Sequence, residues 1–147
     1  MRGVYEDMPL EPVIVGQFKR YFDMLASTNG PTLVHCMAGK DRTGVAVFLL
    51  HHMLGVHRDD IEQDYLASNE MPGRSAWIER TRKSALGMGL LPKNEAFIGM
   101  MLVDLDLLRA ATNTMVRECG SVDTYLKTVL AIDGARREAL RERLIAH

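Results

Sequence analysis

The residues with the most chemical content form one run, His35-Cys36-Met37-Ala38-Gly39-Lys40-Asp41-Arg42-Thr43-Gly44. Thr32-Leu33-Val34 precedes it and the apolar stretch Val45 to Leu50 follows, so the run reads as the turn between a buried strand and a buried helix. In such a turn successive backbone N–H groups point inward and the helix N-terminus adds partial positive charge, which together make an oxyanion site. Cys36, at the end of the strand, is the candidate nucleophile, because a helix N-terminus and a nearby cation lower a thiol's pKa. Arg42 returns around the loop, where its planar fork can hold two equatorial oxygens of a phosphoryl group. Met37, Ala38, Gly39, Lys40 and Asp41 complete the phosphate-binding turn, with Gly39 and Gly44 allowing sharp bends and close approach. The Thr43 hydroxyl is placed to donate a hydrogen bond to the thiolate, during attack and again when sulfur leaves.

Two other readings of the run are weaker. An inert buried cysteine is the commonest fate of that residue, but an apolar cysteine site would not collect Lys40 and Arg42. A nucleotide-binding Walker loop fails because Val34 stands where a glycine is needed, and because Asp41 follows the lysine where Ser or Thr should coordinate magnesium.

The run resembles the phosphate-binding signature His-Cys-x5-Arg-Thr/Ser of the cysteine-dependent tyrosine phosphatase superfamily. Its Lys40-Asp41-Arg42 version is similar to the bacterial and fungal tyrosine-phosphatase-like branch, which also includes phosphoinositide phosphatases. Leu54-Gly55-Val56 and Asp64-Tyr65-Leu66-Ala67-Ser68-Asn69 resemble that branch's segment after the loop helix. Cys119-Gly120-Ser121 with Tyr125-Leu126 resembles a C-terminal element of it. The whole chain can be laid on the C-terminal portion of the family. The resemblance implies hydrolysis of phosphomonoesters through a phosphocysteine on Cys36, with phosphotyrosine, phosphoserine/threonine or phosphoinositide substrates and no cofactor.

A proton donor for the leaving group is also required, within reach of the departing oxygen. The resemblance points to Asp41, beside the loop arginine; many relatives instead use an aspartate about thirty residues upstream, where Asp7 stands. Asp41 is equally readable as a carboxylate pairing with an arginine or capping the helix that begins near Gly44, and Asp7 as a solvated turn residue. Lys40 is read as a second cation beside Arg42, favouring substrates with more than one phosphate, or as an exposed lysine on the rim. His35 points away from the nucleophile and is expected to orient the loop by hydrogen bonding. His51, His52 and His57 lack a cysteine partner at ligand spacing and are read as packing or surface residues, so no metal is implied. Two rivals to the enzyme remain: a phosphate-binding module or incomplete fragment without turnover, and a thiol redox sensor, which would need Cys119 as resolving partner.

With 147 residues, 47% of them hydrophobic, the chain is expected to be a single domain with a sizeable core. A net charge of −1 gives no general attraction to nucleic acid or to an acidic membrane, so any anion preference is local to the loop. Two unpaired cysteines, no secretory leader pattern and no apolar stretch of membrane-spanning length make the cytoplasm the default location, with leaderless secretion left open.

The elements around the loop read mostly as helices: Pro12 to Ala26, Val45 to Leu54, Asp59 to Ala67, Ser75 to Leu86, Val122 to Leu130 and Gly134 to Ile145. Asn29-Gly30-Pro31 ends the first, and Gly87 to Asn94 forms a linker. The stripe Ile98, Met101, Leu102, Leu105, Leu108, Thr112 and Met115 predicts one long helix. A strand is expected over Thr32 to His35, and at most one more around Gly3 to Glu6. The expected class is therefore α/β, helix-rich, with a reduced sheet, since relatives draw their flanking strands from sequence upstream of the loop. A two-stranded sheet is marginal alone, and an exposed edge at Thr32 to His35 invites pairing with another chain, including a second copy.

Overall fold

The helix bearing the loop, Asp41–Leu54, is apolar on most of its circumference and buries Val45, Ala46, Phe48, Leu49 and Met53, which makes it the centre of the molecule. The computed structural model describes residues 1–28, 30–89 and 94–145 and folds them into nine helices, with no strand among the described residues. In chain order these are α1 (Arg2–Asp7), α2 (Pro12–Ser27), α3 (Asp41–Leu54), α4 (Arg58–Ala67), α5 (Arg74–Gly87), α6 (Asn94–Met101), α7 (Leu105–Cys119), α8 (Val122–Thr128) and α9 (Gly134–Ile145). Helices α2, α4, α7, α8 and α9 all pack on α3.

Each helix starts and stops for local reasons. Glu11 caps α2, its carboxylate accepting from the Ile14 amide at 2.9 Å, and Pro12 takes the first turn, where no N–H is missed. Ser121 caps α8 by accepting from the Thr124 amide at 3.0 Å, and the His57 ring accepts from the Asp59 amide at the start of α4. Gly55 closes α3 in the left-handed conformation, at φ 83°. The last carbonyls of α3 are also met by arginines of α9: Arg137 donates to Met53 O at 2.9 Å and Arg141 to Leu54 O at 2.5 Å.

Three expectations are corrected. Gly3 to Glu6 lies in α1, because the helical turn is what carries Tyr5 into the core while α1 packs on α7. Thr32 to His35 forms no strand: Thr32, Val34 and Cys36 face inward and Leu33, His35 and Met37 outward, as in a strand, but no second strand is present among the described residues to complete a ladder. The sheet of the expected α/β class is thus absent from the described residues. The long helix through Ile98 to Met115 is two helices, with a break at 102–104. Asp104 caps α7 by accepting from the Asp106 amide at 2.8 Å, and the Asn69 side chain brackets Val103, donating to its carbonyl at 2.9 Å and accepting from its amide at 2.8 Å. Helix α5 buries none of its residues and packs on α6. Within the expected terminator Asn29-Gly30-Pro31, Asn29 lies outside the described residues, as do residues 90–93 of the expected linker.

Candidate active site

The loop turns at Gly39, whose φ of +65° favours a residue without a side chain, and enters α3 at Asp41. Gly44 is required for a different reason: a Cβ there would stand 2.6 Å from Tyr65 Cε2, so only glycine lets α4 close on the first turn of α3. This turn brings the amides of Gly39, Lys40 and Thr43 to the Cys36 sulfur. Burial pushes the thiol up, but the Thr43 hydroxyl and those three amides outweigh it and hold the thiol down at about 7. The Thr43 hydroxyl is buried without a hydrogen bond of regular geometry; what it has is this electrostatic contact with the sulfur.

Cys36 and Arg42 together line two clefts. One, of about 180 Å³, is walled by Gln17, Phe18, Tyr21 and His35. The other, of about 270 Å³, is walled by Val4, Met8, Ile14, Met37, Ala38 and Asp41. Arg42 is half-buried, and its guanidinium reaches Gln17 Oε1 on α2 at 3.5 Å, a loose contact that leaves its donors available to an anion. A larger cavity of about 310 Å³ lies between the loop and α4, and neither Cys36 nor Arg42 lines it.

The structure separates the remaining residues expected at the site. Lys40 does not present its ammonium at the mouth. Its side chain is 2% exposed and donates to Asp41 Oδ1 at 2.7 Å and to Leu102 O at 3.4 Å, because a buried ammonium must find partners. Its backbone amide, by contrast, stays in the cradle around Cys36. Asp41 pairs with that lysine rather than with an arginine, makes no side-chain cap for α3, and lines the second cleft beside Cys36 and Arg42. The His35 ring lies 3.4 Å from the Cys36 carbonyl. Met37 is 97% exposed. Asp7 is exposed at the end of α1 and lines neither of the clefts around Cys36. Cys119 packs on the core beside Tyr125, and both cysteines are free thiols. His51 and His52 face Asp64 and Asp123 at 3.8 and 3.4 Å.

Sequence reasoning missed Tyr5. Its hydroxyl donates to Asp41 Oδ1 at 2.6 Å and lies 3.0 Å from the Tyr65 hydroxyl. Burial, followed by the bond to Asp41, pushes its phenol far above the ordinary value, and burial raises Tyr65 to about 12, so both remain protonated. No local pattern marks Tyr5, since its partners are distant in sequence.

A lowered thiol among loop amides at a helix N-terminus, with an arginine lining the same clefts, has the donors and charge that suit a tetrahedral oxyanion. The chain belongs to the tyrosine phosphatase family, whose model matches residues 1–146. It is 36% identical over 140 residues to a protein of Cupriavidus necator assigned as a tyrosine-protein phosphatase, covering 92% of this chain and 47% of that one. It is also 36% identical over 134 residues to the triple specificity protein phosphatase PtpB of Mycobacterium tuberculosis, covering 86% of this chain and 48% of PtpB. A tyrosine-protein phosphatase of Nostoc commune is 43% identical over 53 residues, which are 35% of this chain and 18% of that one. The chain therefore spans about half the length of the first two relatives.

Proposed function

We propose that this chain hydrolyses phosphomonoesters through a phosphocysteine on Cys36. The observation that carries the reading is that Cys36 and Arg42 share two clefts at the N-terminus of α3, and a thiol brought down to about 7 by the Thr43 hydroxyl and the loop amides supports it. The thiolate attacks phosphorus, the phosphorus–oxygen bond to the leaving group breaks, and the departing oxygen takes a proton from Asp41, which lines the same cleft and donates from its protonated form, the minority form of a carboxylate paired with Lys40. Water then attacks the phosphocysteine, gives its proton to the Asp41 carboxylate, and releases inorganic phosphate and the Cys36 thiolate. Arg42 and the amides of the loop, Met37 to Arg42, hold the equatorial oxygens in both steps, with His35 orienting the loop and Thr43 steadying sulfur as it leaves.

The proposed substrates are phosphotyrosine proteins, with phosphoserine/threonine proteins and phosphoinositides as further candidates. The name of PtpB, a triple specificity phosphatase, supports that breadth. No helix of the described residues is long and apolar enough to cross a membrane. The free thiols Cys36 and Cys119 support the cytoplasm as the proposed location. The unpaired segment before Cys36, with Leu33 87% exposed, supports association with a second copy of the chain.

The test is release of phosphate from an aryl phosphate between pH 5 and 8, comparing the wild type with Cys36→Ser and Arg42→Ala. Turnover in the wild type, none in Cys36→Ser and a loss of about a hundredfold or more in Arg42→Ala is expected. A folded wild type without turnover refutes autonomous catalysis.

A further inference from the structure

Tyr5 is the buried residue of α1, and its hydroxyl meets the phosphate-loop helix from the side away from solvent. Asp41 Oδ1 accepts from the Tyr5 hydroxyl at 2.6 Å and from Lys40 Nζ at 2.7 Å, so two donors fix a single carboxylate oxygen. Such charge-assisted bonds are shorter and stronger than neutral ones. Asp41 is the first residue of α3, and the residues on either side of the Asp41-Arg42 pair, Lys40 and Thr43, supply amides that hold the Cys36 sulfur. A helix's first turn has no internal partners for its N–H groups and is ordinarily steadied by a side-chain cap. Helix α3 has no such cap. Its start is fastened instead through the Asp41 side chain to α1, which is itself packed on α7.

We propose that Tyr5 is a positioning residue for the phosphate loop, acting through Asp41 to hold the first turn of α3 so that its amides converge on Cys36. The proposal rests on the loop being the reactive site but not on its turning over a substrate. Tyr5 donates throughout the working pH range, because burial and the bond to Asp41 keep its phenol protonated. Tyr65 provides the internal control. It shares the buried hydroxyl pair with Tyr5 and makes no hydrogen bond to Asp41 among the described residues. Removing either hydroxyl disturbs the same core, but only the loss of Tyr5's takes a donor from Asp41 and cuts its tie to α1, leaving Lys40 as its remaining partner.

The experiment compares wild type, Tyr5→Phe and Tyr65→Phe at a temperature where circular dichroism shows all three folded. Iodoacetamide alkylation of Cys36, read at its own peptide by mass spectrometry, gives the thiol's titration. Protection by inorganic phosphate gives oxyanion affinity. Tyr5→Phe is expected to slow alkylation at pH 6 about fivefold to tenfold and to raise the protecting phosphate concentration about tenfold, the size set by one bond to a charged group. Tyr65→Phe is expected to stay within about twofold in both, although it too lowers the melting temperature. The two variants behaving alike, or Tyr5→Phe matching the wild type, overturns the proposal. Should Tyr5→Phe fail to fold, Asp41→Glu keeps the charge and moves the carboxylate by one methylene. It is expected to raise the thiol in the same way, and a thiol still near 7 in that variant overturns the proposal. A wild type that binds phosphate and never hydrolyses an ester refutes the enzymatic reading alone, since neither readout requires turnover.

Discussion

Replacing Thr43 with valine removes one hydroxyl from beside the thiol and keeps the side chain's shape. Burial raises the Cys36 thiol, and the Thr43 hydroxyl leads the groups that bring it from 9.0 down to about 7. A hydrogen bond to a charged acceptor contributes about 1.5–3 kcal/mol, and sulfur accepts more weakly than oxygen, which selects the lower end of that range. The irregular geometry of this contact points the same way. About 1.4 kcal/mol corresponds to one pKa unit, so Thr43→Val lifts the thiol to about 8. The sign is fixed: a higher pKa removes thiolate below it and changes nothing above it. At pH 6 the thiolate fraction falls from about one in ten to about one in a hundred, and iodoacetamide reacts roughly tenfold more slowly, whereas near pH 9.5 the two chains converge. Thr43→Ser retains the hydroxyl and stays within about twofold of the wild type. Full alkylation-rate profiles against pH, measured at the Cys36 peptide, make the comparison. A Thr43→Val thiol that still titrates near 7 refutes the role of the hydroxyl and leaves the backbone amides as the source of the depression.

Gly44→Ala tests the contact of α3 with α4. Alanine ordinarily favours a helix interior by up to about 1 kcal/mol, but the new Cβ would lie 2.6 and 2.9 Å from two ring atoms of Tyr65, and overpacking of this kind costs about 1–3 kcal/mol. Calorimetry is expected to show a melting temperature lower by about 2–6 °C, partly restored by Tyr65→Leu in the same chain, and a more stable Gly44→Ala refutes the close contact. Light scattering tests association: the wild type is expected to be heavier than one chain at high micromolar concentration, and Leu33→Lys with Met37→Lys is expected to return it to monomer mass. A monomeric wild type refutes self-pairing of this segment.

The loop could be read in the sequence because its chemistry is contiguous: ten successive residues carry the thiol, the turn glycines, the arginine and the helix start. Helix α9 was readable to its ends, Gly134–Ile145, and α3 was expected from its all-round apolar surface, although it begins earlier, at Asp41. The break between α6 and α7 escaped because the apolar stripe runs on in register across it, and a periodic pattern carries no information about where the backbone turns. Asp104 caps α7 inside that stripe, and Asn69, which holds Val103 from the end of α4, is 34 positions away. Val4 and Tyr5 favour strands by type; burying Tyr5 against α7 and Asp41 decides for the helix. Lys40 defeated sequence reasoning for the same reason, since lysine beside a phosphate-binding arginine suggests a ligand, and only its distance to Asp41 and Leu102 shows that it is an internal strut.

That strut changes how the site's electrostatics are to be understood. With Lys40 neutralised by Asp41, the lysine and aspartate of the loop contribute little net charge at Cys36, and the groups that bring the thiol down are the dipoles of three amides and one hydroxyl. Dipoles act at hydrogen-bond range and depend steeply on direction, so their effect is set by how firmly the first turn of α3 is held, and mobile ions beyond a Debye length of roughly 8 Å screen them little. A depression supplied by neighbouring cations would tolerate a loosened loop and weaken with salt; this one is expected to tolerate salt and to be lost when the turn moves. The buried tie from Tyr5 to Asp41 and the Gly44–Tyr65 contact therefore belong to the reactivity of Cys36 as much as to the stability of the fold.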